Sequence, residues 1–328
     1  NGDGGEFAHY VRAADGSWRQ FSRFDDQIIQ ATFAPDGDLL LISRESAPRG
    51  KILRLSRTTL DVNNAQEVIP QSNDTIVTSF YRDPPSLVAT ANRIYVLYQL
   101  GGPSEIRAFD VHGHKVTGPA QSPVSAVGGM APTEGDGLLF TSTSYTEPRA
   151  YYHFTTAANQ TSKTKLASNS PVSFDDVQVV REFATSKDGT QVPVNIIMPK
   201  GTRLDGTNPL VLNGYGGYGV NITPGYSSSR KVLLENGVIY AVANLRGGGE
   251  YGEAWHQQGN LTHKQNVFDD FAATTQHLIQ RGYTSSAKLA IIGGSNGGLL
   301  MGATMTQHPE LMQVVVSYVG IYDMLRVE

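Results

Sequence analysis

The sequence contains no cysteine, which excludes a disulfide scaffold, a Cys-rich zinc module and a thiol nucleophile. It has no apolar run of about 18 residues or more that could cross a bilayer as a helix, and no basic-then-apolar leader. Charge of one sign is also missing. The 26 Lys and Arg residues nearly balance the 30 Asp and Glu residues, for a formal net charge of −4, so neither a nucleic-acid partner nor an acidic membrane surface is expected. What is plentiful is glycine, 35 of 328 residues, beside an apolar set of 39%. Together these reach the level of a globular protein with a buried core. The length favours two domains.

The two halves have different grammar. Up to about residue 175 there are short β-rich runs separated by Gly, Pro, Asp and Asn, without helical periodicity. A strand-loop-strand unit recurs. Its first strands are Leu39–Ser43, Ile94–Tyr98 and Leu138–Ser142, and its second strands are Lys51–Leu55, Glu105–Phe109 and Ala150–Phe154. A period of about 40 to 50 residues suits the blade of a β-propeller, with a β-sandwich as the alternative reading. Residues 1–178 are therefore expected to form propeller blades. From residue 179 to 328 strands alternate with helices: Val192–Met198, Leu210–Leu212 and the continuous apolar run Val238–Ala243 read as strands. A helix over Val267–Gln280, a strand Leu289–Ile292, a helix from about Gly298 to Gln307 and a strand Val314–Val319 follow. That order predicts a doubly wound α/β-hydrolase domain.

Gly293-Gly294-Ser295-Asn296-Gly297-Gly298 matches G-x-S-x-G directly after a predicted strand and at the opening of a predicted helix. Such a turn leaves no space for Cβ atoms beside the serine and lifts its Oγ clear of the sheet. Ser295 is thus the candidate nucleophile, and the Asn296 N–H at the helix start is a candidate oxyanion donor. Asn213-Gly214-Tyr215-Gly216-Gly217-Tyr218-Gly219 follows an earlier strand, where this fold places its other oxyanion donor. The Tyr215 hydroxyl, neutral at pH 7, can serve there, or the ring can simply pack the glycine turn. The loop after Ala243 carries Arg246 and Glu250, read as a pair that holds a glycine loop in shape. Asp269-Asp270 lies on a predicted helix with no His or Cys at ligand spacing, so it reads as capping and surface solvation, not metal. Neither the P-loop lysine nor the dinucleotide glycine spacing is present, and no cofactor is expected.

At these residues the sequence resembles the prolyl oligopeptidase family of serine peptidases. The stretches that carry the resemblance are Tyr215–Tyr218, Ala243–Gly252, Lys264–Phe271 and Gly293–Leu300, with Asn1-Gly2-Asp3-Gly4 as a turn of the propeller half. The resemblance implies Ser295 as nucleophile, with the Tyr215 hydroxyl and the Asn296 N–H as oxyanion hole. It also implies Tyr218, Asn296 and Ile321 in or beside a proline-binding pocket. The family hydrolyses peptides of limited length after proline, so proline-containing oligopeptides are the expected partners and a monomer the expected state. In this fold the triad acid and base follow the serine. Asp323 comes one strand too early, and His308 lies at the far end of the nucleophile's helix, on the order of 15 Å away. His256, His263 and His277 precede the serine and read as structural or surface residues. The chain starts without Met and stops at Glu328, so it is expected to be an internal piece of a longer enzyme whose triad Asp and His lie outside it. A catalytically incomplete binding scaffold and a propeller-capped exopeptidase or esterase are the alternatives. Absence of cysteine fits a cytoplasm or a periplasm.

Overall fold

A computed structural model describes residues 7–77, 85–324 and 326; the Asn1-Gly2-Asp3-Gly4 turn lies outside them. The chain divides into two compact units. One is formed by residues 1–143, 149–168 and 251–253, the other by 144–148, 169–250 and 254–328. The main division falls between Ser168 and Asn169 rather than at 178, because the strand Val177–Thr185 pairs along its whole length with Gln191–Pro199.

In the first unit each recurring strand pair is the middle of an antiparallel sheet. The first sheet runs Ile28–Phe33, Leu39–Ser43, Lys51–Leu55 and Gln66–Ile69. In the second, Arg93–Gln99 pairs with Thr75–Ile76, Leu87–Ala89 and Ser104–Asp110, which pairs in turn with Lys115–Val116. The third runs Ser125–Thr133, Gly137–Ser144, Ala150–Thr155 and Gln160–Ala167. The run Ile94–Tyr98 is apolar throughout because both faces of its sheet are covered. Ile94, Val96 and Tyr98 pack with Leu40, Ile42 and Ile52 of the first sheet, whereas Tyr95 and Leu97 pack with Leu138 and Phe140 of the third. Alternate residues of one strand thus serve two neighbouring cores, the stacking that propeller blades require.

The second unit is a six-stranded sheet. Its elements are β1 (Val177–Thr185), β2 (Gln191–Pro199), β3 (Leu210–Asn213), α1 (Arg230–Glu235) and β4 (Ile239–Ala243). They are followed by α2 (Gln265–Gln280), β5 (Leu289–Gly294), α3 (Asn296–Gln307) and β6 (Val314–Tyr318). The strand order is β1-β2-β4-β3-β5-β6. The first two pairings are antiparallel and the last three parallel. On one face of the parallel strands Leu212, Ala241 and Ile291 are buried with Phe271 and Leu278 of α2 and Leu300 and Met301 of α3. Parallel pairing aligns the C-terminal ends of β3, β5 and β6. The loops that begin at Gly214, Ser295 and Val319 therefore emerge at one edge of the sheet, where open α/β sheets bind ligands.

Candidate active site

β5 passes into α3 through Ser295 alone, whose backbone sits at φ 56° and ψ −117°. A non-glycine residue in that region is strained and persists only where its surroundings fix it. Here the Ser295 N–H donates to the Tyr318 carbonyl of β6 at 2.8 Å, and the Ser295 carbonyl accepts from Gly298 N–H at 2.8 Å. The flanking glycines are needed for close approach. A Cβ on Gly297 would stand 2.7 Å from the Gly214 carbonyl, and one on Gly293 would stand 2.5 Å from the Gly297 carbonyl. Asn296 opens α3, so its N–H has no preceding turn to receive it and points out of the helix start.

Tyr215 comes from the loop after β3, and its hydroxyl lies near enough to Ser295 to feel the serine side chain electrostatically. Burial raises the Tyr215 hydroxyl above the ordinary phenol range, outweighing the opposite influence of Ser295, so at neutral pH it is a donor. The Asn296 side chain is buried and donates from Nδ2 to the Tyr215 carbonyl at 2.6 Å. Ser295, Tyr215 and Asn296, three positions singled out from the sequence, are thus brought together. Tyr218 follows on the same loop at φ 54° and half exposed, and Ile321 is half-buried on the loop after β6. Among the described residues no hydrogen bond joins either of them to Ser295. His308 faces Glu310 at 3.4 Å beyond the end of α3, and Asp323 is exposed beside Arg326. Neither one is hydrogen-bonded to the serine.

Lys264 opens the stretch Lys264–Phe271 that carries the resemblance, but the sequence assigned it no role of its own. It precedes α2, and its ammonium donates to the Gly216 carbonyl at 2.8 Å and to Asn296 Oδ1 at 2.9 Å. Burial pulls it down to about 8. Nothing in its local spacing marks it, since the partners lie 48 and 32 residues away.

Two expectations for charged residues are corrected. Arg246 does not pair with Glu250. It is held by Asp270, Asp188 and Ser186, with Nε 2.9 Å and Nη2 2.6 Å from the Asp270 carboxylate. Asp270 is accordingly fully buried on the inner face of α2 rather than a solvated cap. A desolvated guanidinium needs a desolvated carboxylate, and the turn after β1, the loop after β4 and α2 converge to supply one. Glu250 instead accepts from the Ile222 N–H at 3.0 Å and from Asn244, while its Oε2 is buried without a hydrogen bond. Burial pushes its carboxyl up to about 7. His256 is buried against the Gly247 carbonyl, and His277 contacts Glu182.

Propeller-type sheets in one unit and a hydrolase sheet with a strained serine turn in the other define a propeller-linked α/β-hydrolase. The comparisons make this specific. Residues 224–328 match the model of the prolyl oligopeptidase family, and residues 5–167 match that of the prolyl oligopeptidase N-terminal beta-propeller domain. The chain belongs to the prolyl oligopeptidase family. It is 35% identical to a prolyl endopeptidase of Elizabethkingia meningoseptica over 89% of this chain and 40% of that protein. It is 32% identical to a prolyl endopeptidase of Dictyostelium discoideum over 92% of this chain and 40% of that one. A solved structure from a study of two prolyl endopeptidases superposes with a TM-score of 0.85 at 34% identity, covering 98% of this chain and 47% of that chain. Prolyl oligopeptidase B from Galerina marginata, solved with a 25-residue macrocyclization substrate, gives 0.86 at 25% identity over 99% of this chain and 46% of that one. The chain thus spans about 40% of the length of these curated relatives.

Proposed function

We propose that the protein carrying this chain is a serine endopeptidase that cleaves short peptides on the carboxyl side of proline through an acyl-enzyme on Ser295. The observation that carries the proposal is the strained Ser295 turn, with the Tyr215 carbonyl tied to the Asn296 side chain beside it and the Asn296 N–H free of its helix. In this reading Ser295 Oγ attacks the carbonyl, and a histidine outside these residues takes its proton. The negative charge that develops on the carbonyl oxygen is met by the Tyr215 O–H and the Asn296 N–H. Those donors are fixed before reaction, so charge is stabilised without reorganisation, an effect of about 3–4 kcal/mol per donor. Collapse expels the leaving amine, and water releases the acyl group. Tyr218 and Ile321, on the loops flanking the serine, are assigned to the proline pocket. The prolyl endopeptidases among its relatives support this specificity.

The test is fluorophosphonate labelling of the full-length protein with peptide mapping, followed by hydrolysis of a chromogenic prolyl peptide. Label on Ser295, and loss of both label and hydrolysis in Ser295→Ala, is the expected outcome. A folded protein that neither labels nor cleaves would refute the reading in favour of a binding scaffold.

A further inference from the structure

We propose that Lys264 is a positioning residue for this site: its ammonium clamps the Gly216 carbonyl and the Asn296 amide, at the start of α3, together and so sets the spacing of the two oxyanion donors. The inference rests on the reading of Ser295 as nucleophile. Two successive carbonyls of the glycine loop are tied to one place. Asn296 Nδ2 takes the Tyr215 carbonyl at 2.6 Å, and Lys264 Nζ takes the Gly216 carbonyl at 2.8 Å. The lysine also decides how the Asn296 amide is turned. An ammonium only donates, so it must face Oδ1, at 2.9 Å, which directs Nδ2 towards Tyr215. There is no slack behind the amide, because a Cβ on Gly217 would lie 2.4 Å from Asn296 Nδ2. Tyr215 carries one donor on its side chain and Asn296 the other on its backbone, so the clamp joins the two halves of the hole.

A half-buried ammonium held by amide and carbonyl oxygens, with no carboxylate bonded to it, contributes little stability for its desolvation. The charged and titratable groups on the surrounding elements are Tyr215 and Tyr218, Arg246 and His256, and His263, Asp269 and Asp270. Asp269 is taken by Gln265, Asp270 by Arg246, and His256 by the Gly247 carbonyl. Burial is the sole influence that lowers Lys264, to about 8. Charged below that pH, the lysine makes charge-assisted bonds; neutral above it, the clamp loses a donor and its charge. Turnover should therefore fall as pH rises through about 8.

The experiment measures kcat and KM for a chromogenic prolyl peptide from pH 6 to 9.5 in full-length wild type, Ser295→Ala, Lys264→Met and Lys264→Arg. Misplacement by about 1 Å costs up to roughly a hundredfold, so Lys264→Met should lose about 10- to 100-fold in kcat with KM within about threefold, and its alkaline limb should vanish. Lys264→Arg, charged throughout, should recover part of kcat and shift the limb above pH 9. A folded Lys264→Met with wild-type kcat and an unchanged limb overturns the inference. Should that variant fail to fold, a wild-type kcat that stays flat through pH 8, or a limb unmoved in Lys264→Arg, overturns it instead. Retained hydrolysis in Ser295→Ala is a different failure, that of the nucleophile assignment itself.

Discussion

Removing the guanidinium of Arg246 should unfold the α/β unit more readily than any other single truncation of a charged residue in it. Arg246 is 2% exposed and Asp270 fully buried. The carboxylate receives Nε, Nη2, the Arg246 backbone N–H and the Ser186 hydroxyl. In Arg246→Met the Ser186 and backbone donors remain, but the charge does not, and an uncompensated buried charge costs about 3–5 kcal/mol. Asp270→Leu should cost less, about 3 kcal/mol, because Arg246 keeps Asp188, whose side chain is 48% exposed and can share its charge with water. The double variant replaces both ions with apolar groups of similar size and should cost no more than about 2 kcal/mol. The coupling energy is then on the order of 4 kcal/mol or more. Trp255 is the local reporter, since its indole N–H donates to the Leu245 carbonyl next to Arg246. Urea unfolding of the four proteins, followed by its fluorescence with Trp18 changed to phenylalanine, gives the cycle. A cost below about 1 kcal/mol for Arg246→Met, or a double variant that loses the sum of the singles, would refute the reasoning.

Glu250 should make stability fall as pH rises. Its folded value of about 7 lies above the ordinary 4.5, so between these pH values the folded state holds the extra proton and each pH unit weakens folding by up to about 1.4 kcal/mol. Glu250→Gln keeps an acceptor for Ile222 N–H, and its melting temperature should be flatter than that of wild type between pH 5 and 8; identical slopes would show that the carboxyl titrates normally. Asp188 has the opposite sign. Arg246 holds it down to about 2, so its contribution is present above the usual carboxylate range and fades in acid, modestly given its exposure; Asp188→Asn should blunt the loss of stability in urea titrations from pH 5 to 3. Gly217→Ala drives a methyl into the Asn296 amide and should cost about 1–3 kcal/mol of stability. It should also slow Ser295 labelling by at least about tenfold, and a labelling rate equal to wild type would mean that the amide is not confined there.

The sequence displays those features that are local. The apolar run Ile94–Tyr98, the small residues around Ser295 and the period of Val267–Gln280 each follow from the immediate neighbours of the residues concerned, and sheet, turn and helix stand where those patterns put them. Charged residues were misread for the converse reason. Arg246 finds Asp188 from 58 residues away and Asp270 from 24, and a pairing of that range leaves no trace in spacing. Glu250 is nearer in sequence, yet its backbone runs through a glycine loop whose course is set by β2, β3 and β4. Lys264 belongs to the same class. Its neighbours Gln265 and Asn266 are polar, so nothing local announced that this one polar side chain turns inward.

The serine turn is held almost wholly by main chain: a β6 carbonyl, the first turn of α3, and glycine backbone against glycine backbone at 214, 293 and 297. A saturation library read by probe labelling should accordingly split into two tolerance classes. Gly293 and Gly297 should accept nothing, because a Cβ at either would press on a backbone carbonyl. By contrast Gly294, whose Cβ would meet Tyr318 only at ordinary contact distance, and Leu299 and Ala303, which are only partly buried in α3, should accept other side chains. Lineages sharing this turn can therefore diverge over most of α3 while Gly293 and Gly297 stay fixed, so two glycines at fixed spacing can outlast the overall similarity of their carriers.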